Sequence, residues 1–378
     1  MNNLRFTNTL PKSVILITVF LFSLWDFYLP QIGIRLFDFF GIGILCLWML
    51  CRLTLVSRQV IFSTNKFFVI NLLIVWGIFF SILGIAVSID NAKPIIGFLM
   101  GIVLFVFFYS IKIDVLDLEI SLGIIILMHV ACLLFQYIYY LFFGVVLNFY
   151  GFLGGEEPRA LSSIFRPTGL FLEPAAYSVS MLMLIIIRYF IINTFDKISI
   201  FAIISIFLTL SLWGLIASSI LILIYMRKNI KFYAIYFAVI ILIFIFIPFI
   251  PVDWLNANDN PWMRLMNLGD DSSTNSRFGG LVNFESYVKL FIGKGVGNDY
   301  HDFGSSGIAF IMSAGGLFGF CMLLFLLFKL IRKEQSFLFI ILIILCMSAA
   351  PIWTTMYWWL WLALMTRYFY SKERRLIL

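Results

Sequence analysis

The chain has 378 residues, of which 63% are apolar and 12% are charged, and its formal net charge is +7. Soluble domains contain about half apolar and about a quarter charged residues, so this composition excludes a soluble globular protein and indicates a polytopic membrane protein. The basic excess does not indicate nucleic-acid binding, because most basic residues flank predicted cytoplasmic span ends, where they set topology and meet anionic head groups.

About twelve apolar runs, each long enough to cross about 30 Å of hydrocarbon, predict an all-α protein in which residues 1–378 form one integral membrane domain. The runs begin near Val14, Ile34, Phe67, Pro94, Ile120, Pro174, Ile198, Leu215, Phe232, Gly307, Phe337 and Trp353. The uncharged stretch at 198–225 is too long for one span and short for two, and we expect a break marked by Ser211, Gly214, Ser218 and Ser219. Two short helices or a re-entrant hairpin buried in protein would both keep its backbone hydrogen-bonded.

The basic residues predict an orientation. They fall in every second connection, for example at Lys112 and at Arg188 with Lys197. Under the positive-inside rule these connections are cytoplasmic, and both chain termini lie inside. The two longer polar segments, residues 148–173 and 251–303, are then predicted to be periplasmic loops. The second is expected to contain short interfacial helices.

Two pairs of polar residues lie within the predicted spans. Arg35 and Asp38 are three residues apart in the second span, and His129 and Gln136 are seven apart on one helix face. For each pair we expect a structural hydrogen bond or ion pair between helices, and a transport or proton path is the alternative. An interfacial aromatic belt, or alternatively a surface on which sugars stack, is predicted just beyond Gln136. Its members are Tyr137, Tyr139 and Tyr140.

The first periplasmic loop concentrates charge beside a span end. It contains Arg159 and Arg166, and it ends at Glu173 directly before Pro174. Proline is favoured at the first position of a helix, so Glu173 is predicted to lie at the outer mouth of the sixth span. Either Glu173 only caps that helix and pairs with Arg166, or both side chains belong to an active site.

The second loop contains an arginine, a glycine-rich run and a histidine. Arg277 follows a Ser-Ser-Thr-Asn run that predicts a helix cap. A cation in the first turn of a helix is electrostatically unfavourable, so Arg277 indicates an anionic partner, which is either a substrate or one of the loop's own carboxylates. Those carboxylates are Asp270, Asp271 and Glu285.

The glycine-rich run at 293–297 contains Lys294 and lacks the Walker pattern. It would either cradle a phosphate through its N–H groups or serve as a turn that returns the chain to the membrane. His301 follows at the junction with the next span, where a neutral imidazole can accept a proton near neutral pH.

Three short motifs resemble those of the O-antigen polymerase and ligase superfamily of bacterial membrane glycosyltransferases. They are Arg166-Pro-Thr-Gly-Leu-Phe-Leu-Glu173-Pro-Ala, His301-Asp-Phe and Gly315-Gly-Leu-Phe-Gly319. The layout of spans, cytoplasmic termini and two functional periplasmic loops is similar as well. The resemblance implies a GT-C-like fold in the bacterial inner membrane, with the active site facing the periplasm.

The resemblance further implies a Wzy-type O-antigen polymerase. Such an enzyme transfers a growing glycan from undecaprenyl diphosphate to the non-reducing-end sugar of a new lipid-linked repeat unit, and it works with a Wzz-type chain-length regulator. An O-antigen ligase, with lipid A core as the acceptor, is the first alternative. Ligases commonly have Asn, Ser or Gln after the histidine, where this chain has Asp302. A polysaccharide or lipid flippase is the alternative from another class.

The chemistry of the reaction suits these residue types. Departure of a polyprenyl diphosphate develops negative charge on phosphate oxygens, which fixed cations stabilise without a metal. The candidates for this role are Arg159, Arg166, Arg277 and Lys294. The attacking sugar hydroxyl needs a base or an orienting acceptor, for which His301 and Glu173 compete. No metal, nucleotide or other cofactor is expected, because the lipid diphosphate already activates the donor.

Overall fold

A computed structural model describes residues 10–24, 36–53, 64–87, 92–111, 113–151, 158, 165–192, 194–226, 287–296, 306–330, 344, 346–348 and 355–375. These residues form helices and their connections and contain no β-strand. The helices are α1 Lys12–Ser23, α2 Leu36–Leu53, α3 Thr64–Val87, α4 Ala92–Ser110, α5 Val115–Phe143, α6 Pro174–Ile192, α7 Lys197–Leu208, α8 Leu212–Met226, α9 Tyr287–Ile292, α10 Gly307–Leu330 and α11 Met356–Arg375.

Three of the described helices are long and apolar enough to cross a membrane by themselves. They are Val115–Phe143, Pro174–Ile192 and the Gly307–Leu326 part of α10. The predicted all-helical membrane class is thereby confirmed for the described residues. Ten of the predicted spans begin within five residues of the first residue of a described helix. The starts at Phe232 and Phe337 lie outside the described residues, and the total of twelve spans and their orientation stay predictions.

The centre of the bundle is α6. Its side chains from Ala176 to Arg188 are all buried, and the first half of α11 is buried as well. In contrast, α3, α4 and α5 each expose large apolar side chains on one face. In a membrane such a face meets lipid tails, so packing and interhelical hydrogen bonds hold the helices together.

The break predicted within 198–225 is present. α7 ends at Leu208 and α8 begins at Leu212, so two short helices meet at a turn. Ser211, one of the residues expected at the break, lies in this turn, and its hydroxyl accepts from the N–H of Gly214 at 3.4 Å. Leu210 adopts a positive φ of 50° there. The predicted break is therefore confirmed, and the chain is helical on both sides of it.

Contacts between helices fix their relative direction. Tyr357, in the first turn of α11, donates its hydroxyl to the carbonyl of Ser180 in α6 at 2.8 Å. Trp359 packs edge-on against Phe98 of α4 with ring centroids 5.5 Å apart. Phe98 in turn contacts Phe310, in the first turn of α10. The starts of α6, α10 and α11 therefore lie at one end of the bundle, which we call the loop end.

The opposite end of α6 is held by an ion pair between the buried Arg188 and the partly exposed Asp196. Arg188 donates to Asp196 at 2.6 Å and to the backbone carbonyl of Glu119 on α5 at 2.6 Å. Asp196 also caps α7 by accepting from the N–H and hydroxyl of Ser199. Burial alone would raise the pKa of the Asp196 carboxyl, but hydrogen bonds from Arg188 and Ser199 outweigh it and hold the pKa at about 2.

α10 is interrupted at Gly316. Its φ of 59° and ψ of −164° are not helical, and they divide α10 into two shorter helices. A positive φ is accessible to glycine at little cost. The backbone of α9 crosses α10 here, because a Cβ at position 316 would press on the backbone at Phe291 and Ile292. The motif Gly315-Gly-Leu-Phe-Gly319 thus contains the break in the helix.

Candidate functional site

Residues 165–173, which we call the arginine segment, return the chain to the bundle before α6. A single side chain on α5 holds their backbone. Gln136 Oε1 accepts from the N–H groups of Thr168 at 2.7 Å and Gly169 at 2.9 Å. Gln136 Nε2 donates to the carbonyl of Leu147 at 2.9 Å. These partners fix the orientation of the amide, and the fully buried Gln136 therefore ties both the outgoing and the returning chain to α5.

A second contact lies beneath the arginine segment. The ring of Phe171 packs on the imidazole of His129, with centroids 5.3 Å apart. His129 Nε2 lies 2.8 Å from the hydroxyl of Ser23 at the end of α1. That hydroxyl donates its one proton to the carbonyl of Phe20 at 2.7 Å, so the imidazole is the donor to Ser23. His129 thus makes the predicted structural hydrogen bond between helices, whereas Gln136 bonds to the backbone of two connecting segments and not to another helix.

The two charged candidates of the arginine segment lie near the start of α6. Pro174 is the first residue of α6, as predicted, and the carbonyl of Glu173 accepts from the N–H of Tyr177 at 3.2 Å. Glu173 and Arg166 are both half-buried. Their backbone is therefore held by the Gln136 amide, by Phe171 and by the first turn of α6.

Aromatic side chains flank the arginine segment. Phe165 stacks on Tyr140 with centroids 3.9 Å apart and an interplanar angle of 14°, and Tyr137 lies 6.0 Å from the same ring. Two of the three tyrosines of the predicted belt, Tyr137 and Tyr140, thus pack on the segment that carries Arg166. Tyr137, Tyr140 and Phe165 are each half-buried, so part of every ring surface stays accessible.

The start of α2 packs on the other side of this segment. Leu36 and Phe37 contact Tyr150, and Leu170 of the arginine segment belongs to the same apolar cluster. Asp38, in the first turn of α2, is 6% exposed. Its predicted partner Arg35 lies outside the described residues. The buried Asp38 is therefore adjacent in sequence to Phe37, and the apolar cluster of Phe37 includes Leu170 of the arginine segment.

Residues 293–296, which we call the glycine segment, enter the bundle between α3 and the interrupted α10. The N–H groups of Lys294 and Gly295 donate to the carbonyls of Ser313 and Ala314 at 2.7 and 2.9 Å. The N–H of Val296 donates to the carbonyl of Phe80 on α3 at 2.9 Å. At 1.5 Å per residue, Ser313 lies about 9 Å along α10 from its start.

This arrangement favours the turn over the phosphate cradle for the glycine-rich run. The N–H groups of residues 294–296 do not form a phosphate cradle, because each donates to a protein carbonyl. The physical reason is the break at Gly316, because the last carbonyls before a helix end lack N–H donors from their own helix. The glycine segment supplies N–H donors to two of these carbonyls. A role for the half-buried Lys294 side chain in binding a diphosphate stays a prediction.

Gly84 allows the glycine segment to reach α3. A Cβ on Gly84 would overlap the backbone carbonyl of Val296, so only glycine permits this contact. The packing encloses non-helical backbone within protein, which is the condition for irregular chain at membrane depth. Neither Gly84 nor Gln136 was a predicted site residue. Both are buried small or neutral residues in apolar runs, with partners far away in sequence.

The two segments lie at the same end of the bundle. The arginine segment leads directly into α6, and the glycine segment contacts the first half of α10; both helices begin at the loop end. The structure thus brings Arg166, Glu173 and Lys294 to one end of the bundle, opposite Arg188. Arg159, Arg277 and His301, the remaining predicted site residues, lie outside the described residues.

The candidate site residues that the structure describes at the loop end are two cations, Arg166 and Lys294, and one carboxylate, Glu173. Among the described residues, no three His, Cys, Asp or Glu side chains are close enough together to hold a metal ion.

Comparison with known proteins adds no relative. No protein-family model matches the chain, and no curated protein matches it significantly.

Proposed function

We propose that the protein is a membrane glycosyltransferase that polymerises lipid-linked O-antigen repeat units at the loop end of the bundle. A sugar hydroxyl of the new repeat unit attacks the anomeric carbon of the growing glycan. The bond between that carbon and the diphosphate oxygen breaks, and undecaprenyl diphosphate leaves. The proton of the hydroxyl passes to a base, for which Glu173 and His301 are the candidates. The acceptor is expected to be the non-reducing-end sugar.

One observation carries this proposal: the Gln136 amide and the ring of Phe171 hold the arginine segment through neutral and apolar contacts. The Gln136 amide holds the backbone at Thr168 and Gly169 without using a charged side chain. Arg166 and Glu173 therefore occupy defined positions on an anchored segment. A preorganised cation of this kind stabilises charge that develops on a leaving diphosphate, with little reorganisation during the reaction.

The surroundings suit a lipid-linked sugar. The half-buried rings of Tyr137, Tyr140 and Phe165 lie beside Arg166 along the chain and fit the apolar faces of a sugar. The apolar faces of the neighbouring helices suit a polyprenyl tail in the lipid phase. With Lys294 at the same end, a second cation is available for the diphosphate.

A transporter is the second candidate, and the interrupted helix α10 favours it. Transporters often bind their substrates at discontinuous helices deep in the membrane. In this chain, however, the carbonyls of Ser313 and Ala314 before the break accept from the glycine segment. This use of the break as a fixed packing site favours the glycosyltransferase over a flippase.

Deletion of the gene, followed by gel analysis of the glycans, separates the candidates. A polymerase mutant is expected to lose the ladder while one repeat unit still attaches to the lipid A core. Complete loss of attached glycan, with accumulation of lipid-linked polymer, would indicate the O-antigen ligase instead. Lipid-linked single units trapped on the cytoplasmic side would indicate a flippase.

Point variants test the site. We expect Arg166→Ala to reduce chain extension at least 100-fold at a normal protein level, because loss of one donor to a developing anion commonly costs about 100- to 1,000-fold in rate. Arg277→Ala and His301→Ala are expected to abolish the ladder as well. Lys329→Met, at the far end of α10, is the matched control and should preserve it. Wild-type ladders from all three site variants would refute the proposal.

A further inference from the structure

We infer that Gln136 is a positioning residue for the proposed transfer, which it supports by holding the arginine segment in its reactive place. The inference rests on the proposed function. Gln136 is fully buried, and its amide contacts the backbone of Thr168, Gly169 and Leu147. It is separated from Thr168 by 32 residues of chain, so this one side chain closes the loop that carries the candidate arginines.

The pattern of donors and acceptors makes glutamine specific here. One atom must accept two N–H groups, and the other must donate to a carbonyl. A carboxamide meets both requirements without a charge, whereas an ionised carboxylate has no donor and an apolar side chain has neither group. Substitution by methionine keeps the length of the side chain but leaves two N–H groups and one carbonyl without this partner.

The position of Gln136 relative to Arg166 connects the anchor to the chemistry. Thr168 is two residues from Arg166, with only Pro167 between them. Proline has a fixed φ, so the backbone anchored at Thr168 transmits its position to Arg166 through a stiff residue. Release of Thr168 and Gly169 is therefore expected to move the guanidinium out of register with the leaving diphosphate. A displacement of about 1 Å is enough to cost about 100-fold in rate.

Glutamate at this position allows a reversible test. A protonated carboxyl reproduces the glutamine pattern, because its carbonyl oxygen accepts and its O–H donates to Leu147. An ionised carboxylate instead directs a lone pair at that carbonyl. Burial disfavours the charged form, and Arg166 and Glu173 are the ionisable side chains of the arginine segment itself. Activity of Gln136→Glu relative to wild type should therefore fall as pH rises.

The first measurement follows the anchor directly. In the full-length protein in lipid nanodiscs, hydrogen–deuterium exchange of the 165–173 peptide should become at least tenfold faster in Gln136→Met than in wild type. The 293–296 peptide of the same sample should not change, since its N–H groups donate to other carbonyls. Ser121→Ala is the matched control, because Ser121 is also buried on α5 but bonds only to the Asp117 carbonyl of its own helix. Unchanged exchange at 165–173 would overturn the inference.

The second measurement links the anchor to the reaction. In membranes that contain native lipid-linked repeat units, Gln136→Met should extend chains at least tenfold more slowly, and Gln136→Glu should recover activity relative to wild type on acidification.

An active Gln136→Met beside an inactive Arg166→Ala would overturn the positioning role and leave the proposed function standing. If both variants extend chains normally, the positioning role fails and Arg166 leaves the proposed site, and the ladders of Arg277→Ala and His301→Ala then decide the proposed function. If Gln136→Met does not fold, a Gln136→Glu variant that keeps wild-type activity after its carboxyl has ionised still overturns the inference.

Discussion

The arginine segment and the glycine segment lie at the same end of the bundle but are anchored by different groups. The arginine segment is anchored through its backbone by a side chain, the Gln136 amide, which bonds to backbone on both sides of the loop, and Phe171 and the first turn of α6 add further contacts. The glycine segment is held by its own backbone, which donates to carbonyls of α10 and α3. One substitution can remove a side-chain anchor without changing any residue of the loop. A backbone anchor has no side chain to remove, so it can be weakened only by changing how closely the segment approaches its helices.

The backbone anchor should fail most severely where its closest approach is blocked. Gly84→Ala is expected to destabilise the protein by more than about 3 kcal/mol, because overpacking against backbone cannot be relieved by a change of rotamer. Yield and thermal stability of the detergent-solubilised protein measure the effect.

Gly43→Ala in α2 is the matched control, since nothing lies within 4 Å of its Cβ position. It should be neutral or stabilise the helix by up to about 1 kcal/mol. Equal stability of Gly84→Ala and Gly43→Ala would contradict a backbone anchor for the glycine segment.

An ionic anchor at the opposite end extends the comparison. Arg188→Leu is expected to lower the free energy of unfolding by about 3 kcal/mol, because it leaves Asp196 and the Glu119 carbonyl without their buried partner. Lys197→Ala, which removes an exposed cation at the same end, should change stability by less than about 0.5 kcal/mol. A chemical denaturation or thermal melting series would show whether the two cations differ in this way.

The backbone anchor also predicts a separation of fold from activity at Lys294. Lys294→Met keeps the N–H that donates to Ser313, so the glycine segment should keep its place while one cation is lost from the proposed diphosphate site. We expect chain extension to slow about tenfold, which corresponds to about 1.4 kcal/mol. Ladder length and initial rate in membranes measure this effect. A wild-type rate would remove Lys294 from the site and leave the anchor unaffected.

The smallest expected effect is the acid sensitivity of the ionic anchor. The pKa of Asp196 is lowered from its ordinary value of 3.8 to about 2, so its contribution to stability is present above about pH 4 and is lost as pH falls towards 2. Because the carboxyl is partly exposed, the contribution is on the order of 1 kcal/mol. Melting temperatures at pH 6 and pH 3 should therefore differ more in wild type than in Asp196→Asn. An equal difference would argue against an ionic anchor.

Much of the fold could be predicted from the sequence because a membrane imposes a simple pattern. A crossing requires a long apolar run, so the starts of the described helices follow from composition. Local chemistry placed two further boundaries, the break at Ser211 and the start of α6 after Glu173. Both depend on residues adjacent in the chain, and short-range preferences are visible in a sequence.

The anchors could not be predicted, because each depends on partners distant in sequence. Gln136 and Thr168 are 32 residues apart, and nothing beside Gln136 identifies the backbone that it binds. Gly316 lies in an apolar run without proline, where a continuous helix is the ordinary expectation. Arg188 looked like one of many basic residues that set orientation, but it is buried and paired. Among the predicted site residues, Glu173 lies directly before its helix, as the sequence predicted. The carbonyls to which the N–H groups of the glycine segment donate could not be predicted, because two of them belong to α10.

The interruption of α10 has a consequence for how the protein is assembled during synthesis. The carbonyls of Ser313 and Ala314 accept from a segment that precedes α10 in the chain and enters from the loop end. When α10 leaves the insertion machinery, these two carbonyls still lack their final donors. An orphan carbonyl in lipid is costly, so we expect the part of α10 before Gly316 to reach its full stability in the bilayer only when the glycine segment is in place. The glycine segment also donates to α3, so the folding of these three elements is expected to be cooperative.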